Sequence, residues 1–315
     1  GSPMPSFVKA LKAEDRWYLA NFIKSLQIKL STHQVLKPLL VEGAVPDGPE
    51  DAKWAGAEAM DVRLAGQVVV APRWQNPSID LVTIKSIRNT VEIAFLLEWD
   101  DPFKDETHLK AKELNAKDIS KPGAFNSYVE AIDMVPRKLK TFRDSVALQF
   151  PIKSLEGTKK PYFLRGGSSD PVHLLVWKAD SATTEESIAR GWTQNPRPQP
   201  KAGQQSKSKS VWRQGRWSVV IKRPLLTEDR NDVQFRPGKF IPMAVNAWDG
   251  SNGEHGLMMS LSTWYFVFLE APVPMTVYIW VLLAVIIIGG LGFWLMRKAE
   301  KGEMGGPRNL EENER

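Results

Sequence analysis

Residues 275–296, MTVYIWVLLAVIIIGGLGFWLM, are 22 residues without one Asp, Glu, Lys or Arg, near the end of a chain that is otherwise polar. A helix rises about 1.5 Å per residue and a bilayer core is about 30 Å thick, so roughly 20 such residues cross it. A soluble core helix would show a polar stripe over that length, and this run has none. Pro272 and Pro274 mark where it begins. Arg297, Lys298 and Lys301 follow it, whereas residues 260–271 carry only Glu270. Basic residues collect on the cytoplasmic side of a span. The expectation is therefore a transmembrane helix at 272–297, a cytoplasmic tail at 298–315 and the main domain on the outer side, the periplasm in a bacterial cell.

The residues ahead of the span are enough for one large or two modest domains. The formal charge is +6, but Lys and Arg gather in 201–216 and behind the span, not in a patch interleaved with aromatics, so nucleic acid is not an expected partner. With Cys 0 the chain has no disulfide, no thiolate metal site and no covalent c-type haem attachment of its own. The four histidines, His33, His108, His173 and His255, are scattered without metal-site spacing; His173 reads as a satisfied strand residue and His255 as a turn residue. Asp100-Asp101 suits calcium, although a strand-ending Asp-Asp-Pro is more often a turn, and Gly166-Gly167-Ser168-Ser169 reads as a turn. No nucleophile elbow, phosphate loop or dinucleotide fingerprint occurs, so catalysis by this chain alone is not expected.

The first residues lack a basic segment followed by an apolar one, which is expected of a piece of a longer or processed chain, or of Gly1-Ser2 left by cloning. A Pro-flanked Met4 precedes an amphipathic pattern built on Trp17, Leu19, Phe22, Ile23 and Leu26 within 1–29. Residues 30–50, rich in Pro and Gly, read as a linker holding a short strand at most. Within 51–271, β-rich runs at 60–64, 67–70, 81–87, 91–99, 145–150, 172–178, 216–224, 241–249 and 260–269 are separated by Gly, Pro, Asn and Asp. Short strands at this spacing predict a mainly β fold, an antiparallel β-sandwich or barrel. Residues 105–135 are expected to insert surface helices, and 193–210, TQNPRPQPKAGQQSKSKS, to form a flexible loop.

Pro3-Met4-Pro5-Ser6-Phe7, the acidic pair after it, Arg16-Trp17 and a helix ending Ile23-Lys24-Ser25-Leu26 resemble the C-terminal end of a class I cytochrome c domain. The resemblance implies that Met4 is the distal haem ligand, a thioether that suits iron at raised potential. It further implies a haem c attached through a CxxCH upstream of this chain. The ordinary reading of Met4 is a Met in a proline turn.

A second resemblance covers roughly 51–270. Trp99-Asp100-Asp101-Pro102, residues 144–151 (DSVALQFP), Pro171-Val172-His173 through Trp177-Lys178-Ala179-Asp180, Gly215-Arg216-Trp217 with Arg223-Pro224-Leu225, Ala247-Trp248-Asp249-Gly250 and Ser262-Thr263-Trp264 occur in that order. Together they resemble the haem b domain of ethylbenzene dehydrogenase-type γ subunits, the electron-transfer subunits of periplasmic molybdenum enzymes of the dimethyl sulfoxide reductase family. The resemblance implies a sandwich holding one haem b between a Met and a Lys. Its partners would be iron–sulfur and molybdenum-containing subunits and a soluble cytochrome c or similar carrier. The chain departs from the pattern at both ligands: Pro161-Tyr162-Phe163-Leu164 has Leu where the family has Met, and Gly256-Leu257-Met258-Met259-Ser260 has no Lys.

Three readings of the pocket stand. Met259 or Met258 binds iron, with Lys178 or Met134 on the other side; or haem b is lost and the sandwich remains as a docking scaffold; or the two Met residues are ordinary packing. Lys178 also has the plain reading of a strand-end Lys paired with an acid. A different class of function is a haem-free anchored sandwich that binds a partner or carbohydrate, with Trp54, Trp74, Trp99, Trp177, Trp192, Trp212, Trp217, Trp248 and Trp264 lining a face. Such Trp residues are more often core.

Overall fold

The computed structural model describes residues 33–106, 142–153, 160–271 and the helix 275–303, with Lys12. Met4 and its helix, and the stretch 107–141 with Met134, lie outside the described residues.

Two sheets form the sandwich. The six-stranded sheet runs β11 (Lys207–Arg213), β12 (Arg216–Pro224), β6 (Glu92–Asp100), β5 (Leu81–Arg88) and β2 (Leu39–Leu40), with β3 (Met60–Arg63) also on β5. The nine-stranded sheet runs β1 (Val35–Leu36), β15 (Tyr265–Phe268), β13 (Phe240–Trp248), β7 (Ser145–Pro151), β8 (Val172–Lys178), β9 (Glu185–Ala189) and β10 (Arg197–Pro198). β14 (Ser260–Leu261) adds to β13, and β4 (Ala65–Gly66) adds to β14. Pairing is antiparallel except for two short parallel contacts, β1 with β15 and β2 with β5. The 30–50 linker thus supplies one edge to each sheet.

Turn chemistry sets the register. Asn89 closes the β5–β6 hairpin by accepting the Val91 and Glu92 N–H groups at 2.8 and 2.7 Å. Gln214 and Gly215, with φ of 52° and 76°, close β11 onto β12; positive φ at both central residues matches the twist of a two-residue hairpin. In that register Trp217 lies opposite Trp99, and both turn inward to meet Trp177 from the other sheet. Ring centroids within the trio are 4.9 to 6.3 Å apart. Each buried indole removes a large apolar area from water, so the trio is a principal tie between the sheets. It also uses three of the Trp residues that a binding face would need; Trp54 is core as well, and Trp192 is exposed.

Three expectations are corrected. Residues 67–70 do not form a strand: the Gln67 side chain accepts the Val69 and Val70 N–H groups at 2.8 and 2.9 Å, which replaces a ladder, and Val68 and Val69 are exposed. The run 260–269 is two strands interrupted at 262–264. The stretch 193–210 is not a flexible loop; it contains β10 and enters β11, which pairs with β12 along its whole length. Its Lys-Ser alternation places Lys207 and Lys209 outward on an edge strand, where charge discourages further pairing.

The C-terminal helix α1 (Met275–Glu303) is a separate unit. Tyr278–Glu300 is long and apolar enough to cross a membrane, and none of it is buried. At its basic end Arg297 and Lys298 lie over the Phe293 and Trp294 rings at 5.1 and 5.2 Å.

Candidate functional site

β13 alternates between two environments. Met243, Val245 and Ala247 enter the core between the sheets, so Trp248 faces the opposite side, where it packs on a second apolar cluster. That cluster holds Met259, Leu164 and Leu261, with Val70, Phe163 and Leu257 around them. Met259 is 0% exposed and Leu164 1%. Leu164 and Met259, from the two segments that depart from the expected pattern, therefore meet in one cluster.

A strap covers this site. The Gln67 side-chain amide donates to the carbonyls of Val70, Pro72 and Leu257, and the Gln67 backbone N–H donates to the Met259 carbonyl at 3.0 Å. Buried Glu254 accepts from Trp74 Nε1, the Ser78 N–H and Asn252, and burial raises its carboxyl above the ordinary range. Arg165, next to Leu164 and 6% exposed, donates to the Gly256 carbonyl at 2.7 Å, and no carboxylate pairs with it among the described residues. Burial pulls its guanidinium down to about 10.

Two other expected ligands, Met258 and Lys178, lie outside this cluster. Met258 is half-buried in the bridge with His255, whose ring stacks on Phe142 at 4.0 Å. Lys178, at the end of β8, puts its ammonium 2.8 Å from Glu185 Oε2 and is not in the Met259 cluster. An open hollow of about 320 Å³ lined by Asp47, Glu50, Lys53 and Lys209 shares no residue with the cluster.

Sequence reasoning missed two buried polar groups. In the first, His173, Glu186, Asp232 and Arg223 are each at most 1% exposed. The Val233 N–H points at His173 Nδ1 (3.2 Å), which leaves the ring proton on Nε2, 3.0 Å from Glu186 Oε2. Arg223 Nη2 donates to Asp232 Oδ2 at 3.0 Å, and Thr227 and Gln199 donate to the same carboxylate. Burial alone would raise Glu186, but the His173 hydrogen bond and the Arg223 charge outweigh it and hold the carboxyl down at about 2.

The second group is Asp101, Asp144 and Asp249, one oxygen of each lying within 4.8 Å of the others. They follow β6, precede β7 and follow β13 respectively. Burial, then the neighbouring charges of Asp144 and Asp249, pushes Asp101 up to about 8. Burial likewise lifts Asp144 to about 7, against the hydrogen bonds it accepts from Asp105 N–H, Gly250 N–H and Trp217 Nε1. Gly250 is required there, because a Cβ at that position would lie 1.8 Å from the Phe142 carbonyl oxygen.

The family model described as ethylbenzene dehydrogenase matches residues 51–211 and 196–260. The chain belongs to the ethylbenzene dehydrogenase family. The match spans Met259, Leu164, the strap and both buried polar groups. A Haloferax mediterranei protein described as "Putative respiratory nitrate reductase heme subunit ORF7" is 26% identical over 248 residues, 78% of this chain and 77% of that one. The chlorate reductase subunit gamma of Ideonella dechloratans is 29% identical over 126 residues, 39% of this chain and 49% of the relative. Among solved structures, a family 9 carbohydrate-binding module from Caldicellulosiruptor kristjanssonii in complex with glucose aligns over 76% of this chain and 97% of its own, with a TM-score of 0.38 and 8% identity. That likeness carries no argument about what this chain binds.

Proposed function

We propose that this chain is a membrane-anchored, haem-carrying electron-transfer subunit of a molybdoenzyme complex, and not its catalytic subunit. Family membership and the two relatives, described as a respiratory nitrate reductase heme subunit and a chlorate reductase subunit gamma, support that reading. The observation that carries the site is Met259, a thioether wholly buried among apolar side chains that include Leu164, whose chain neighbour Arg165 is buried with no acidic partner among the described residues.

The donor chemistry of these residues suits a b-type haem. Met259 would help to hold the iron, since thioether sulfur is a competent haem ligand. Leu164, Phe163 and Trp248 would keep water away, and Arg165, which no carboxylate pairs with among the described residues, would meet the propionates. Of the other candidates, Met134 would supply the second donor and Met258 is the alternate to Met259, while Lys178 is held by Glu185. Met4 would serve a separate haem c. When bound, haem supplies the one-electron couple; the protein sets potential and access through ligand, burial and charge. Iron–sulfur and molybdenum subunits would exchange electrons at one end, and a cytochrome c or similar carrier at the other. The main domain would be periplasmic and the tail after α1 cytoplasmic, as the basic residues after the span favour.

The filled state of the cluster, with Leu164 against Met259, supports a second reading in which the sandwich is a haem-free docking scaffold. One experiment separates them. The protein expressed with haem available should give a b-type pyridine haemochrome and a reduced-minus-oxidised difference spectrum. Met259→Ala should abolish the low-spin signal, and Lys178→Ala should leave it. A folded preparation that takes up no haem would sink the electron-transfer reading.

A further inference from the structure

We propose that Asp101, Asp144 and Asp249 form a binding site for a divalent cation of the calcium class. The three carboxylates come from separate parts of the sequence and converge at one end of the sandwich, each at most 3% exposed. Asp101 Oδ1 accepts the Phe103 N–H, whereas Asp101 Oδ2, wholly buried, has no hydrogen-bond partner. No Lys, Arg or His pairs with any of the three among the described residues. A buried carboxylate oxygen left without a donor is costly. A cation seated among the three would satisfy it and balance the charge.

The donor set selects the ion. Only oxygen is offered, which suits a hard cation, while zinc favours nitrogen and sulfur. Calcium accepts irregular arrangements of six to eight oxygens, so carboxylates can be supplemented by water. Magnesium demands a near-octahedral shell and gives up its water reluctantly. The ion would have a structural role. Asp101 extends from the six-stranded sheet, and Asp144 and Asp249 from the nine-stranded one, so the ion would clip the two sheets together. Asp105 and Asp144 exchange backbone and side-chain hydrogen bonds at 2.8 and 2.9 Å, so the clip would also close the base of the insertion between them.

The test uses the whole 315-residue chain in detergent, stripped with chelator and then supplied with calcium or magnesium alone. Bound metal is counted after desalting, and thermal melting is followed. At a calcium level about a hundred times the Kd, the melting temperature should rise by about 5–10 °C, with one calcium bound per chain. Asp101→Asn should abolish both the bound calcium and the shift while still melting cooperatively in chelator, which shows that the variant folds. The proposal is overturned by a wild-type melt indifferent to calcium with no metal retained, by an equal shift with magnesium, or by an undiminished calcium shift in Asp101→Asn.

Discussion

The two buried acidic groups solve the same electrostatic problem in opposite ways. Around His173, the chain brings its own cation: Arg223 lies against Asp232, and Glu186 is held ionised. Around Asp101, three carboxylates share one end of the sandwich with no cation from the described residues, and Asp101 and Asp144 are pushed toward the protonated form. One group carries its own counter-charge as the chain folds. The other is complete only with a proton or an ion from outside. Composition cannot tell them apart, since both are trios of metal-binding side chains; the difference is whether a guanidinium occupies the centre.

The strongest way to break that contrast is to remove the guanidinium. Arg223→Met leaves Glu186 and Asp232 buried without their counter-charge, and losing one partner of a buried pair costs about 3–5 kcal/mol. Denaturant unfolding should show that loss, with calcium giving no rescue. A variant restored by a divalent cation would mean that His173, Glu186 and Asp232 form a second latent metal site, and the contrast would fail.

Next comes pH, where the two groups have opposite signs. Glu186 has its folded value depressed from 4.5 to about 2, so its contribution is present above about 4.5 and is lost as pH falls toward 2. Asp101 and Asp144 are raised from 3.8 to about 8 and about 7, so their contribution is present below 3.8 and is lost as pH rises through 7 to 8. In chelator, stability should peak near pH 4–5 and decline on both sides. A single proton retained between pH 5 and 7 corresponds to roughly 3 kcal/mol, at about 1.4 kcal/mol per unit. A flat profile from pH 5 to 8 in chelator would show that the Asp group is relieved by something other than protons or metal.

The sequence announces the scaffold more openly than the sites. Runs such as 81–87 and 91–99 alternate or fill with β-branched residues, so their strand character is local and visible. The membrane helix is legible for the same reason: every position reports the same environment. Where side chains replace backbone partners, the pattern misleads; Val68-Val69-Val70 looks like strand until Gln67 captures its N–H groups. The buried polar groups are long-range objects. His173 meets Arg223 across 50 positions and Asp144 meets Gly250 across 106, and no periodicity encodes such meetings. Asp100-Asp101 carried a hint of calcium, but a lone Asp-Asp-Pro does not reveal that Asp144 and Asp249 arrive beside it. Met259 was visible only through the family pattern, and its junction with Leu164 only in three dimensions.

A smaller effect sharpens the comparison residue by residue, because Asp→Asn keeps shape and removes charge. Asp232→Asn takes away the carboxylate that receives Arg223, Thr227 and Gln199, and weakening hydrogen bonds to charged partners costs roughly 1.5–3 kcal/mol. Asp101→Asn in chelator replaces a carboxyl that burial already pushes toward its neutral form with a neutral amide that can donate to Asp144 and Asp249, so stability should stay within about 0.5 kcal/mol of the parent or rise. Urea unfolding of both variants in chelator reads the pair directly. Equal losses in the two would mean that Asp101 is as well partnered as Asp232, and its bare Oδ2 would then be no sign of an ion. Opposite signs would mean that one acidic trio is a finished salt-bridge network and the other a socket.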